Sequence, residues 1–165
     1  NAESSGYSLM TLQDFLVSFR ERCRLLIEVK NRDWEPVSRH ALKIQKTLDL
    51  IGDNSDQRII MSSFNLPSLE YAHQLQSEFP LIYNIEARQT ILEIRQLLKT
   101  HDFLHGFCLP IESLQQEVVE LLREHAKLIG VYTCNSEAEI STGLHFSVDI
   151  LISDVPQNAL IMRGS

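Results

Sequence analysis

Short apolar runs alternate along the chain with longer segments whose apolar residues recur at helical spacing. Most of the short runs are apolar on consecutive positions, which is typical of strands in a parallel sheet covered by helices on its outer surface. The predicted strands number about six, and they fall at residues 25–30, 58–62, 81–85, 103–110, 128–134 and 148–152.

Amphipathic segments separate these runs and supply the crossovers that parallel strands require. The predicted helices fall at residues 11–23, 36–51, 67–78, 88–99, 112–127 and 136–142. Thr11 and Asp14 form a capping-box-like pair at the first helix, and Gly52 is a stop signal after the second.

The alternation predicts one α/β domain over residues 1–165, because no low-complexity linker divides the chain. A doubly wound sheet and a (β/α) barrel both fit the pattern, and periodicity does not choose between them. A full barrel has eight strand–helix units, about two more than this chain supplies.

Composition and charge exclude several classes of function. The net charge of -7 argues against binding nucleic acid or anionic membranes through bulk charge, because both require a positive field. No apolar run reaches the roughly 18 residues that a transmembrane span needs. Three cysteines without a CxxC spacing indicate neither a disulfide framework nor a zinc site.

Ligands in both folds bind at the carboxyl ends of the strands, so the polar residues there are the candidates for chemistry. Glu28 and Lys30 end the first strand, and strand alternation places them on one face. A carboxylate there can hold a hard divalent cation, and an ammonium beside it can meet a phosphate oxygen. A simple salt bridge at a strand end is the alternative.

Two further strand ends carry candidates for a binding pocket. Ser63 and Phe64 follow the second strand, where Asn65 could also serve as an ordinary helix cap. Tyr132 and Cys134 share one face of the fifth strand, with core packing as the alternative. Among the histidines, His105 lies within a predicted strand and is the one that could point into a barrel, with a hydrogen-bonded core histidine as the favoured alternative.

Five short segments, taken in order, resemble the glycerophosphodiester phosphodiesterase family. They are SLMTLQDFL at 8–16, LLIEVK at 25–30, SSF at 62–64, VYTCN at 131–135 and VDILISDVP at 148–156. Each motif is short, but their order and spacing suit the family. The resemblance covers nearly all of the chain.

The resemblance implies a partial (β/α) barrel and metal-assisted hydrolysis of glycerophosphodiesters to glycerol phosphate and an alcohol. It implies that Glu28 stands where the family has a metal-ligating carboxylate and that Lys30 is the catalytic cation facing the phosphate. Ser63, Phe64 and Tyr132 are the implied substrate-binding residues. Tyr132 replaces the family's pocket tryptophan, a departure that bears on the alcohol group of the substrate.

The family's opening motifs, HRG, pENT and E.D, are absent, so the chain resembles the last six strands without the first two. The resemblance implies a divalent cation, Mg²⁺ or Ca²⁺, in the complete protein. Because the opening motifs are absent, this chain alone is expected to be inactive. The expected partners are a glycerophosphodiester and either a missing amino-terminal segment or a second copy of the chain. A non-catalytic interaction module and a doubly wound ligand-binding domain are the competing interpretations.

Overall fold

The computed structural model describes residues 9–164; Ser8, which begins the first motif, lies outside them. The described residues contain six strands in a single sheet, in the order β1-β2-β3-β4-β5-β6. These are β1 (Leu25–Glu28), β2 (Ile59–Ser63), β3 (Leu81–Asn84), β4 (Gly106–Pro110), β5 (Leu128–Tyr132) and β6 (Ile150–Leu151). Every neighbouring pair is parallel.

Helices connect these strands and cover the outer surface of the sheet. They are α1 (Leu12–Phe19), α2 (Val37–Ile51), α3 (Leu66–Leu75), α4 (Ile91–Thr100), α5 (Gln116–Glu124), α6 (Glu137–His145) and α7 (Pro156–Gly164). No helix in this part of the chain is both long enough and apolar enough to cross a membrane.

The strand order confirms a partial TIM-like barrel and excludes the doubly wound alternative. A doubly wound sheet reverses its strand order at a switch point. Here each strand pairs with the one before it in the chain, and the sheet curls into a half-barrel. Within the described residues, β1 and β6 each pair on one side, so the curl has two open edges.

Local signals fix the ends of several helices where the sequence predicts them. The Thr11 hydroxyl accepts a hydrogen bond from the Asp14 backbone N–H, and the Asp14 carboxylate accepts one from the Thr11 backbone N–H, which completes the capping box. Gly52 ends α2 with a φ of 63°, a conformation that glycine adopts without strain. Asn65 caps α3 by accepting a hydrogen bond from Ser68.

The interior wall of the sheet includes small residues where neighbouring strands crowd one another. A Cβ added to Gly130 of β5 would lie 2.3 Å from the sulfur of Cys108 on β4. A Cβ added to Gly106 would lie 2.4 Å from the carbonyl oxygen of Leu128. The glycines therefore allow β4 and β5 to pair closely.

Three local predictions are wrong. Residues 112–127 do not form one helix: a 3-10 turn at Ile111–Ser113 precedes α5, because Leu114 and Gln115 are extended. The carboxyl-terminal helix α7 is not predicted at all. His105 lies before β4, at the amino end of the sheet, where its Nδ1 atom is 3.4 Å from the Leu81 nitrogen.

Candidate functional site

A cavity of about 610 Å³ opens inside the curl, at the carboxyl ends of the strands. Both edge strands reach it, since Leu26 and Glu28 of β1 and Ile150 of β6 line its walls. Other polar or aromatic side chains on its walls are Lys30, Ser62, Phe64, Asn84 and Tyr132. Ligands of (β/α) barrels bind at this end of the strands, which makes the cavity the candidate site.

Glu28 and Lys30 project together into this cavity. Glu28 is the last residue of β1, and the Lys30 ammonium lies 3.8 Å from its carboxylate. The side chains are 33% and 80% exposed, so the pair is solvated and weakly held. The Lys30 ammonium is therefore free to turn toward an anionic ligand.

A buried carboxylate fixes the loop that carries Lys30. Glu35 is 8% exposed and contacts the Lys43 ammonium, and the Arg39 guanidinium lies 3.1 Å away. The hydrogen bond from Lys43 is the main cause that lowers the pKa of Glu35 below its ordinary value. Lys43 also donates to the carbonyl oxygen of Lys30 at 2.9 Å, which joins this network to the cavity.

The second strand presents Ser62, rather than Ser63, to the cavity. Ser62 pairs in register with Glu28 and lines the wall. The Ser63 side chain lies on the other face of the strand, where its hydroxyl donates to the Val29 carbonyl at 2.8 Å. Ser63 is fully buried, so it supports the end of β1 from behind the wall.

Phe64 and Tyr132 form an aromatic wall. Their ring centroids are 5.7 Å apart at 79°, an edge-to-face contact. The Tyr132 hydroxyl donates a hydrogen bond to the Ile85 carbonyl. Burial is the main cause that raises the pKa of Tyr132 to about 12, with the Glu28 carboxylate among the minor ones. The hydroxyl therefore remains a protonated donor at neutral pH.

Cys134 does not share this wall. Strand β5 ends at Tyr132, and Cys134 is fully buried in the hydrophobic core. The prediction that Tyr132 and Cys134 lie on one face is therefore wrong, because the alternation of the strand stops before Cys134.

Asn84 is a cavity residue that sequence reasoning missed. It ends β3, is 5% exposed and lines the cavity, and its Oδ1 atom has no hydrogen-bond partner among residues 9–164. The strand-end rule could have found it, because Asn84 is the polar residue near the carboxyl end of the predicted strand 81–85. A missing hydrogen-bond partner is visible only in three dimensions.

Comparison with known proteins decides what this arrangement belongs to. A family model described as the glycerophosphoryl diester phosphodiesterase family matches residues 1–158. The chain belongs to this family. A glycerophosphodiester phosphodiesterase of Bacillus subtilis (strain 168) is 30% identical over 155 residues, covering 92% of this chain. The chain spans about half of that relative, 53% of its length.

Solved structures related to this family share the fold. A glycerophosphodiester phosphodiesterase from Parabacteroides distasonis matches with a TM-score of 0.80 at 17% identity, covering 98% of this chain and 66% of that one. An Oleispira antarctica phosphodiesterase, solved with the product sn-glycerol-3-phosphate, matches with a TM-score of 0.66 at 20% identity. That match covers 84% of this chain and 54% of the Oleispira chain.

The described residues of this family member do not by themselves assemble a divalent-cation site. Mg²⁺ and Ca²⁺ take about six or more oxygen ligands, several of them from carboxylates or water. In residues 9–164, no group of three or more His, Cys, Asp or Glu side chains could hold a metal ion. Glu28 can supply one carboxylate, and its Lys30 partner competes with a cation for it.

Proposed function

We propose that this chain is the carboxyl-terminal portion of a barrel that hydrolyses glycerophosphodiesters to glycerol 3-phosphate and an alcohol. Residues 1–165 would form one continuous part of that domain. The observation that most directly supports this proposal is that Glu28 and Lys30 project side by side into a cavity at the carboxyl ends of a parallel barrel sheet. The family match and the Bacillus relative favour a hydrolase over a non-catalytic module.

Lys30 is the residue we assign to the phosphate. A phosphodiester carries one negative charge, and a solvated ammonium meets a phosphate oxygen as a point charge. In hydrolysis, water adds across one P–O ester bond and the alcohol leaves. A cation beside the phosphorus stabilises the negative charge that develops on its oxygens.

Glu28 is the residue we assign to a divalent cation, Mg²⁺ or Ca²⁺, in the complete protein. The family is generally metal-dependent. One carboxylate is insufficient, so the remaining ligands would come from outside the described residues. When bound, the metal would supply electrostatic stabilisation of the phosphate.

The aromatic wall of Phe64 and Tyr132 would pack against the carbon atoms of the substrate. Phe64 is 41% exposed, so it has free surface for a ligand. Ser63 would act indirectly in substrate binding, because its hydroxyl holds the Val29 carbonyl beside Lys30.

The gap between β1 and β6 is where we propose that further strands complete the barrel. Both edges line the same cavity, and the Bacillus relative is nearly twice as long as its matched part. No histidine lines the cavity within residues 9–164, so a general acid and base would also come from those strands. The 165-residue chain alone should therefore be inactive.

The test compares the 165-residue chain with the protein translated from the complete reading frame that encodes it. Phosphorus NMR would follow conversion of glycerophosphocholine to glycerol 3-phosphate with added Mg²⁺ or Ca²⁺. We expect turnover by the longer protein and none by the chain alone. The variants Lys30→Gln and Glu28→Gln should each lower kcat/KM of the longer protein by about a hundredfold, the size of a lost electrostatic contact to the transition state.

Matched controls are the exposed Lys46→Gln and Glu124→Gln, which remove the same charges from α2 and α5. Both should leave kcat/KM unchanged. Equal turnover in Glu28→Gln, Lys30→Gln and the controls would refute the assigned roles. No turnover of any glycerophosphodiester by the longer protein would refute the proposed reaction.

A further inference from the structure

The side-chain amide oxygen of Asn84 has no hydrogen-bond partner among the described residues. Asn84 is only 5% exposed, and this Oδ1 atom is buried. Burying an unpaired polar atom costs more than making an ordinary hydrogen bond gains. Asn84 lines the cavity, so rotation of its amide could carry this oxygen toward a polar ligand group that would satisfy it.

The sheet register places Asn84 nearer the mouth of the cavity than the Glu28 layer. Glu28 pairs with Ser62, and Ser62 pairs with Ile82, two residues before Asn84. Two strand spacings, about 10 Å, separate the β1 and β3 backbones. Lys30 and Asn84 both line the one cavity, so a single small molecule can meet both side chains.

Small, uncharged residues lie beside Asn84 on the next two strands. Asn84 pairs with Cys108, and Cys108 pairs with Gly130, which has no side chain. Cys108 is fully buried, and burial is the main cause that raises its pKa to about 12, so its thiol stays neutral. These neighbours of Asn84 carry no charge and add no group that would bind a phosphate.

The chemistry of an amide selects a neutral polar partner. It offers both a donor and an acceptor, and rotation about the Cβ–Cγ bond can present either atom. A hydroxyl group also donates and accepts, so it matches the amide. The phosphate, by contrast, is matched by the Lys30 ammonium.

We propose that Asn84 binds a hydroxyl group of the substrate while Lys30 faces its phosphate. This inference rests on the proposed function and assigns the part of the ligand that Asn84 recognises. The hydroxyl belongs either to the glycerol moiety or to the alcohol moiety, and the chemistry at Asn84 is the same for both. Asn84 thereby distinguishes a polyol phosphate from bare phosphate.

The test is an NMR titration of the ¹⁵N-labelled 165-residue chain with sn-glycerol 3-phosphate, inorganic phosphate and phosphocholine. Loss of one pair of peaks in Asn84→Leu would assign the Asn84 side-chain amide. We expect glycerol 3-phosphate to shift these peaks, and phosphate and phosphocholine to leave them in place. Phosphocholine carries an ester alcohol group without a free hydroxyl, so it separates hydroxyl recognition from general occupancy of the cavity. Glycerophosphocholine, whose free hydroxyls lie on glycerol alone, and methyl 2-hydroxyethyl phosphate, which has a hydroxyl but no glycerol, then separate the two sources: a shift of the Asn84 amide with only the first assigns the glycerol moiety, and a shift with only the second assigns the alcohol moiety.

Asn84→Leu should weaken glycerol 3-phosphate binding about fivefold to tenfold, the value of one net hydrogen bond, and leave phosphate binding unchanged. Asn158→Leu, at an exposed position of α7, is the matched control and should change neither affinity. Equal losses for both ligands in Asn84→Leu would overturn the inference, as would an Asn84 shift with phosphocholine.

The same titration separates this inference from the proposed function. If glycerol 3-phosphate shifts the backbone peaks of Lys30 and Tyr132 but not the Asn84 amide, the inference is overturned and the proposed function stands. If it shifts none of the cavity residues, the inference is overturned, whereas the proposed function is decided separately by turnover of glycerophosphocholine in the longer protein.

Discussion

The Tyr132 hydroxyl donates a hydrogen bond to the backbone carbonyl of Ile85, which joins the end of β5 to the end of β3 across the intervening strand β4. The same ring contacts Phe64 beyond β2. A single side chain therefore connects three strand ends around the cavity mouth. This connection has consequences for stability at high pH.

Stability should fall as the pH rises from about 10 to about 12. The folded chain raises the pKa of Tyr132 to about 12, mainly through burial, while an unfolded tyrosine titrates near 10. Between these values the folded state binds more protons than the unfolded state, so the free energy of unfolding decreases with pH. Urea unfolding at several pH values would measure it.

Tyr132→Phe is the control for this pH dependence. It should lower the free energy of unfolding at pH 7 by about 1 kcal/mol, the net value of one hydrogen bond. It should also reduce the decline above pH 10, although the contributions of Tyr83, Cys108 and Cys134, whose pKa values burial also raises, would remain. An unchanged decline in the variant would show that Tyr132 is not its source.

Gly130→Ala should destabilise the chain by about 1–3 kcal/mol through overpacking. The added Cβ would lie 2.3 Å from the Cys108 sulfur, and both residues are buried in paired strands. Combining it with Cys108→Ala removes that sulfur, so the double variant should be more stable than the sum of the single effects. Thermal or urea unfolding of all four proteins completes the cycle. Strict additivity would contradict the close contact.

Asn84→Leu should raise the free energy of unfolding of the ligand-free chain by about 1 kcal/mol. Leucine has a similar size and removes a buried oxygen that has no partner among the described residues. Asn84→Asp should instead lower it, because a buried carboxylate is costlier than an amide. Urea unfolding measures both. A destabilising leucine would indicate that the amide has a partner in solution.

The open edges should cause the isolated chain to self-associate. In the described residues, β1 and β6 each have one side without a strand partner, and such edges pair with other chains. Light scattering after size exclusion should show a mass near twice 19.0 kDa at high concentration. Leu26→Lys, on β1, should favour the monomer, whereas Leu92→Lys on the exposed side of α4 should not. A wild-type chain that is monomeric throughout would refute this.

Much of this architecture could be read from the pattern of residues. Consecutive apolar positions, as in β2, indicated buried parallel strands, and capping residues such as Thr11 placed helix starts. Motifs at strand ends identified Glu28 and Lys30, because alternation puts residues two apart on one face. The same alternation predicts that both side chains line the same cavity.

The errors arise where that rule ends or where a motif overrides it. Ser63 was selected from the SSF motif rather than from alternation, whereas Ser62 and Phe64, two residues apart, share the face that lines the cavity. Cys134 follows the end of its strand, so alternation no longer predicts its direction. Helix α7 begins at Pro156, a common first residue of helices, yet no helix is predicted after the last strand. Asn84 fits the strand-end rule, but the missing hydrogen-bond partner of its side-chain oxygen among the described residues is visible only in the structure.

The sequential strand order has a consequence for how the molecule could be divided. Because each strand pairs with its immediate neighbour in the chain, a cut between two strand–helix units separates one interface and leaves all the others intact. A separately expressed upstream fragment could then reconstitute the barrel by docking on β1 and β6, without any rearrangement of the six strands already in place. The protein should accordingly lend itself to split-reporter assays, with the join at the loop before α1.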